Sequence, residues 1–514
     1  MELQVHGKTE VYLQLIQNVI NKNKTAIVLV PEISLTPQMV DRFLARFGDC
    51  IAVLHSKLSI GERYDQWKNI KEQKAKIVIG ARSAIFAPIE NLGIIIIDEE
   101  HDQSYKSETS PRYKAQEIAR YLAKQNNIPV VLGSATPDVG TFTKAKNGEI
   151  ELIKLTKRAN KSELPNVEIV DLRYELAKGN RSIISDRLYE EIEKNIKDKK
   201  QTILFLNRRG YSTFVMCRDC GYTVKCKKCN ISLTYHEYTN KLKCHYCGYE
   251  INNLKTCPSC NSKNIKYFGT GTEKLETEIK KIFPNATTIR MDIDTVTKKN
   301  SHEEILNKFK NENIDILIGT QMVVKGHHFP NVTLVGVVAA DSSLNIEDFR
   351  ANERTFGLLT QVAGRAGRES NDGRVIIQTY NPENFCIQCA KNQDYDKFYE
   401  TEIELRKQLK YPPFCDIIMF GISSHSKETV EKAANKLFEI LQKNIKKQKI
   451  SINVYNPVTA PISKIKNKYR WRIIAKCNLN NSIINLVNNT LDEYYELKIK
   501  NVRVIADTNP NNMN

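Results

Sequence analysis

Eight cysteines between residues 217 and 260 stand as four C-x-x-C pairs, Cys217/Cys220, Cys226/Cys229, Cys244/Cys247 and Cys257/Cys260. A pair at that spacing turns both sulfurs toward one ion, and four thiolates complete a tetrahedral zinc site, so the set accounts for two Zn²⁺ per chain. Spacing alone leaves sequential, crossed and nested pairing open; the nested form closes a short loop inside a longer one. Two of the pairs are followed by glycine, as in a tight metal knuckle. The lone pair Cys386/Cys389 and the single Cys50, Cys415 and Cys477 are expected to be core or surface residues rather than ligands.

A second kind of chemistry is spread along the chain. Asp98, Glu99, Glu100 and His101 follow the apolar run Ile94 to Ile97, so the acids emerge from the end of a buried strand. An Asp there can hold Mg²⁺ and a neighbouring Glu can orient and deprotonate an attacking water. Gly7, Lys8 and Thr9 precede a stretch with Val11, Leu15, Ile16 and Val19 on one helical face, the way a phosphate-binding loop enters its helix. Lys8 would then reach the β- and γ-phosphates of a nucleotide and Thr9 would ligate Mg²⁺. The complete loop needs a first glycine where Glu2 stands, and only six residues precede Gly7, so the start is expected to lack both the feeding strand and part of the loop. Gly133 to Pro137 (GSATP) leave a later strand, where Ser134 and Thr136 could link nucleotide state to DNA contacts. Arg365 and Arg368, three apart in QVAGRAGR, are candidates to meet the charge of a transferring phosphoryl group. Gly319 to Met322 and Lys325 to His328 could grip a phosphodiester backbone, whereas adjacent His327 and His328 are poorly placed to share a metal.

These clusters need elements to hold them. Short runs rich in Ile and Val, each followed by a polar cluster and a helically spaced stretch, occur at Thr25 to Val30, Ile51 to Leu54, Lys76 to Ile79, Leu92 to Ile97 and Pro129 to Leu132. A second set lies at Thr202 to Leu206, Asp315 to Ile318, Thr333 to Ala339 and Val375 to Thr379. The pattern predicts an α/β protein with two parallel-sheet lobes, in which ligands gather at the carboxyl ends of the strands. The expected division is 1–150 for the first lobe and 165–216 with 265–388 for the second. The cysteine-rich insertion then covers 217–264 and a small α+β domain 390–514. The charged stretch 150–165 ends in Pro165 and reads as the linker between lobes.

At 514 residues and 41% hydrophobic content the chain can fill several cores. Its longest apolar runs fall far short of the roughly 20 residues that span a bilayer, and its start lacks the regions of a secretion signal, so a cytoplasmic location without membrane contact is expected. Thirteen cysteines in such a chain point to metal rather than to disulfides. A surplus of 77 basic over 59 acidic side chains, +18, suits a polyanionic partner and equally suits a solvated lysine-rich surface.

GKT, DEEH, GSATP and QVAGRAGR in this order over two α/β lobes resemble a superfamily 2 helicase. VPEISLTPQM at Val30 to Met39, GARSAIFAP at Gly80 to Pro88, LFLNRRGY at Leu204 to Tyr211 and GTQMVVKGHHFPNVTLV at Gly319 to Val335 narrow the likeness. With the eight cysteines, KYPPF at Lys410 to Phe414 and KYRWRI at Lys468 to Ile473, the chain from about Gly7 onward resembles the primosomal replication-restart helicases of the PriA family. The resemblance implies two RecA-like lobes, a two-zinc insertion and a DNA-dependent ATPase unwinding 3′ to 5′ at stalled or repaired forks. It also implies single-stranded and forked DNA, primosome proteins, single-strand-binding protein and a replicative helicase loader as partners, and a nucleoid-associated place in the cytoplasm. It assigns Gly7, Lys8 and Thr9, with Glu100 and His101, to the nucleotide, Asp98 and Glu99 to metal and water, and Arg365 and Arg368 to the arginine fingers. Family pairing of the cysteines is nested: Cys217, Cys220, Cys257 and Cys260 on one ion, Cys226, Cys229, Cys244 and Cys247 on the other. Tyr105, Lys106, Arg112 and Tyr113 match an aromatic-rich loop that senses single-stranded DNA. Family members begin with a DNA-end-binding domain and a winged-helix domain, and ELQVHGKT stands where a complete loop is expected, so the chain reads as truncated at its start. An inactive, zinc-dependent DNA-binding or primosome-assembly fragment is the alternative reading, and an RNA helicase a third.

Overall fold

The computed structural model describes residues 7–31, 37–155, 165–206, 214–268, 271–292, 301–320, 323, 329–366 and 373–513. They fall into two compact units, one of the described residues up to 155 and one of those from 165 onward.

The first unit is a five-stranded parallel sheet, β1 (Thr25–Leu29), β2 (Ile51–Leu54), β3 (Ile77–Gly80), β4 (Leu92–Asp98) and β5 (Val130–Gly133), in the order β2-β3-β1-β4-β5. Helices on both faces bury it, which is why β1, β3 and β4 are nearly unbroken Ile, Val and Leu rather than alternating. Among the covering helices is α1 (Gly7–Asn21), which lays Tyr12, Leu13 and Ile16 on one face, with Ala26, Val28, Ile94 and Ile96. The helix Ile60–Lys71 is started by a reciprocal capping box between Ser59 and Glu62.

In the second unit a six-stranded parallel sheet takes the strands Thr288–Met291, Ile316–Gly319, Gln201–Phe205, Val332–Val337, Arg374–Thr379 and Asn166–Asp171, in that spatial order. Its four central strands coincide with the second set of apolar runs, whereas Asn166–Asp171 and Thr288–Met291 were not expected. Both are edge strands with half-exposed residues, so their sequences NVEIVD and TIRM lack a long apolar run. Between the second and later strands the chain leaves to form an antiparallel sheet of five strands, from Phe214–Cys217 to Ile265–Phe268. The C-terminal sheet is also antiparallel, with Asp416–Ser424 and Lys468–Cys477 at its centre. Helices Lys427–Gln448 and Asn481–Glu496 cover it through Leu437, Leu441 and Leu486. The cysteine-rich sheet and the C-terminal domain share one core, in which Cys229, Cys244 and Tyr246 lie with Tyr411, Ile417, Ile474 and Met513.

Candidate nucleotide site and tetrathiol centres

Strand β4 is fully buried until its last residue, and the sheet delivers Asp98 and Glu99 to its carboxyl edge. Asp98 pairs with Gly133 on β5, which brings DEEH beside GSATP. Glu99 turns the chain off the sheet with φ +45°, a left-handed conformation that costs a residue with a Cβ about 1 kcal/mol and that is concentrated at functional sites. At the start of α1 the Lys8 ammonium lies 2.6 Å from Glu99 Oε1 and 3.5 Å from Asp98 Oδ1. Burial works against the charge on Lys8, but the two carboxylates outweigh it and raise its pKa. One turn further along α1, the Tyr12 hydroxyl donates to Asp98 Oδ1 at 2.9 Å, and burial with that carboxylate pushes the phenol up. His101 closes the ring of contacts: Nδ1 is 2.7 Å from Ser134 Oγ and Nε2 is 3.6 Å from Glu99 Oε2. Lys8, Asp98, Glu99, His101 and Ser134 are thus brought together, with Gly7 and Thr9 in the first turn of α1.

Glu100 is placed differently from its neighbours. It is 3% exposed, and its oxygens accept from the Asp138 amide at 2.7 Å and the Thr141 hydroxyl at 3.2 Å, at the start of helix Val139–Lys146. Burial and the facing Asp138 carboxylate push it up to about 7.

The stretch after DEEH divides in two. Tyr105 is buried, its hydroxyl 2.6 Å from Asp98 O and 3.1 Å from Leu29 O, and Lys106 is buried as well, so neither offers a stacking surface. Tyr113 meets Phe86 edge-on at 5.0 Å, and Phe86 is 57% exposed. Arg82 lies over the Tyr113 ring and donates to the carbonyls of Lys106 and Ser104 at 2.6 and 3.0 Å. Arg82 and Phe86 were not singled out from sequence; the exposed aromatic beside an arginine in RSAIF was the available signal.

In the second unit, the helix Ala351–Ala363 ends at Gly364, so Arg365 lies just past it. Arg368 is outside the described residues, as are Glu2, Gln321, Met322, Lys325, Gly326, His327 and His328.

The eight thiols form two groups, Cys217, Cys220, Cys257 and Cys260, and Cys226, Cys229, Cys244 and Cys247, each with its sulfurs within 4.8 Å of one another. The sulfurs lie 3.6 Å apart in Cys217/Cys260, Cys220/Cys257 and Cys226/Cys247. A tetrahedral ion with bonds of about 2.3 Å sets its sulfurs about 3.8 Å apart, whereas a disulfide needs about 2.05 Å, so the geometry fits zinc and not oxidation. Every C-x-x-C pair is followed by a left-handed residue: Gly221 (φ +74°), Asn230 (+53°), Gly248 (+76°) and Asn261 (+57°). That turn aims the amide of Gly221 at the Cys217 carbonyl, and likewise Asn230 at Cys226, Gly248 at Cys244 and Asn261 at Cys257. Asparagine serves where glycine was sought because its side chain tolerates this conformation best after glycine. Gly221 has a second reason, since a Cβ there would fall 2.2 Å from the Tyr380 carbonyl oxygen.

Around the inner group lies a buried polar layer that no local motif announces. Glu347 accepts from the His245 amide and from Thr234 Oγ1 at 2.9 Å, and lies 2.7 Å from His245 Nδ1. Arg472 donates to the His245 carbonyl at 2.8 Å, and the Tyr411 hydroxyl to the Cys229 carbonyl at 2.9 Å. The conspicuous KYPPF and KYRWRI segments therefore act, in part, as clamps on the thiol module.

With this geometry in view, the likeness to known proteins is consistent along the chain. Residues 6–144 match the DEAD/DEAH box helicase family and 252–370 the helicase conserved C-terminal domain. Residues 226–251 match the PriA DNA helicase Cys-rich region domain and 407–511 the primosomal protein N C-terminal domain. The replication restart protein PriA of Bacillus subtilis (strain 168) is 49% identical over 505 residues, 98% of this chain and 62% of that protein. Its counterpart in Synechocystis sp. is 43% identical over 91% of this chain and 57% of its own length, and that of Treponema pallidum 39% over 95% and 73%. The chain thus spans about three fifths of the first two relatives. With family-specific domains in the zinc module and at the C-terminus, and 39% identity over 73% of a relative, this chain belongs to the PriA family of replication restart proteins.

Proposed function

We propose that the chain is an ATP-dependent DNA helicase that unwinds 3′ to 5′ and restarts replication at stalled or repaired forks by primosome assembly. The observation that carries the reading is the convergence of Lys8 with Asp98 and Glu99 at the carboxyl edge of a parallel sheet. An ammonium held by two carboxylates beside the first turn of a helix is suited to exchange them for phosphate oxygens, and the helix N–H groups add donors for the same anion. Bound there, Mg²⁺ would neutralise charge on the β- and γ-phosphates of ATP, and Asp98 and Thr9 are the residues to hold it. Glu99 then accepts the proton of the attacking water. Lys8, released from Glu99, pairs with the phosphates, and His101 reports the change to Ser134. Arg365 and Arg368 supply guanidinium charge for the transferring phosphoryl group. Single-stranded and forked DNA are the substrates, read in part by Phe86, Tyr113 and Arg82. Primosome proteins, single-strand-binding protein and a helicase loader are the partners, at the nucleoid. No helix among the described residues is long and apolar enough to cross a membrane.

Steady-state ATP hydrolysis by the 514-residue chain, with and without forked DNA, tests the proposal. DNA should stimulate turnover, and Glu99→Gln should lower it by about 10³-fold or more while leaving nucleotide binding intact. Turnover unchanged in Glu99→Gln, or none in the wild type, would refute it.

A further inference from the structure

Glu100 sits between the acids assigned above to metal and water and the segment that must respond to them, and its carboxylate faces the helix after GSATP in place of the nucleotide role that the resemblance implied. Four contacts fix it. Its amide donates to the Gly133 carbonyl at 3.1 Å, and its carbonyl accepts from Gln116 Nε2 at 2.7 Å. Its carboxylate takes the Asp138 amide at 2.7 Å and the Thr141 hydroxyl at 3.2 Å. Asp138 also caps the helix Val139–Lys146 by accepting from the Thr141 amide, so both carboxylates hold the same helix start. Between Gly133 and Asp138 runs GSATP, with Ser134 against His101. One residue thus joins the end of β4, the end of β5 and the helix that follows GSATP.

We propose that Glu100 is a positioning residue for nucleotide turnover: its side chain latches the Asp98–Glu99 strand end to the far end of GSATP, holding Ser134 within reach of His101. The inference rests on the hydrolytic reading above. A buried carboxylate is a suitable latch because hydrogen bonds to it are strong in a dry setting and its loss orphans two donors, one of them a backbone N–H. Glutamine has the same length and an amide oxygen for the Asp138 N–H, while its amide nitrogen can donate to the Thr141 hydroxyl, so Glu100→Gln preserves the latch without the charge. Glu100→Ala removes it, and Thr141→Val removes one contact at a half-buried position.

The test uses the full chain in two arms. In nucleotide-free protein, Glu100→Ala should speed backbone hydrogen exchange across residues 134–141 by about tenfold, with Glu100→Gln remaining near wild type. In DNA-stimulated hydrolysis, Glu100→Ala should lower kcat by about tenfold with KM for ATP changed by less than about twofold, and Glu100→Gln should restore kcat. Thr141→Val should show a smaller fall of the same kind. Equal losses in Glu100→Ala and Glu100→Gln, or a raised KM at unchanged kcat, would overturn the proposal, the latter in favour of direct nucleotide contact. Unchanged exchange in Glu100→Ala would also overturn it. If the wild type hydrolyses no ATP, the functional reading fails while the exchange arm still decides the latch.

Discussion

Gly133→Ala should disturb the Lys8, Asp98 and Glu99 cluster through a residue outside it. A Cβ at position 133 would lie 1.6 Å from the Tyr12 hydroxyl oxygen and 2.8 Å from Tyr12 Cζ. Tyr12 is 3% exposed and its hydroxyl is committed to Asp98, so the ring must move and surrender that bond. Overpacking of a tight core costs about 1–3 kcal/mol and loss of a hydrogen bond to a charged group about 1.5–3 kcal/mol, so the expected destabilisation is about 3–5 kcal/mol. Removing the hydroxyl beforehand takes away both the worst clash and the bond. Gly133→Ala in a Tyr12→Phe background should therefore cost at least about 1 kcal/mol less than in the wild type. The chain's two tryptophans lie one in each unit, Trp67 and Trp471. In a Trp471→Phe background, urea unfolding followed by Trp67 emission reports the unit that holds the site. A Gly133→Ala effect below about 0.5 kcal/mol, or single effects that add within about 0.5 kcal/mol, would refute the packing argument.

Two other outcomes follow from the thiol groups and from Glu100. Metal analysis should find two zinc ions per chain, and the double variant Cys217→Ser/Cys260→Ser should keep one, because both thiols belong to one group; loss of both ions would favour crossed or sequential pairing. Glu100 is held up near 7 by burial and by Asp138, with Lys114 opposing, against an ordinary value of 4.5. A raised carboxyl pKa means that the folded state binds the proton more tightly. Stability of the first unit should therefore fall as pH rises from about 4.5 to about 7, by on the order of 3 kcal/mol, and be level above that. Urea unfolding of Glu100→Gln from pH 4.5 to 8 in the Trp67-reporter background should lack that slope, and an identical slope in both proteins would count against it.

Sequence made the buried parallel strands plain because burial on both faces demands unbroken Ile and Val, as in Leu92 to Ile97. It hid the edge strands Asn166–Asp171 and Thr288–Met291, which meet a neighbour on one side only and keep half-exposed residues in place of an unbroken apolar run. Within the site, Lys8, Asp98, Glu99 and His101 were readable because each type has a task in phosphate chemistry. Tyr12 and Gly133 were not, since their meaning is a contact across 121 positions that no local spacing encodes. Tyr105 misled for a related reason: an aromatic in a polar loop reads as a stacking surface, and only the fold shows its hydroxyl turned back onto Asp98. The partnership of His245 with Glu347, 102 residues apart, was equally beyond sequence.

The nested arrangement of the thiols sets the order in which this part of the chain can become complete. The inner ligands end at Cys247 and can close before the outer set, which must wait for Cys260. Once the inner loop is gathered, the outer ends have a shorter effective path to span, so each closure lowers the entropy lost in the next. Where the outer loop shuts, Cys217 is paired with Ile265 across an antiparallel ladder, about 5 Å apart. The chain therefore enters and leaves the module through a two-stranded stem, while Glu347 holds the module to its host lobe through His245 and Thr234. Such a stem fixes where the enclosed segment begins and ends, so its interior can change length only where the contacts to Glu347 and Tyr380 are left undisturbed.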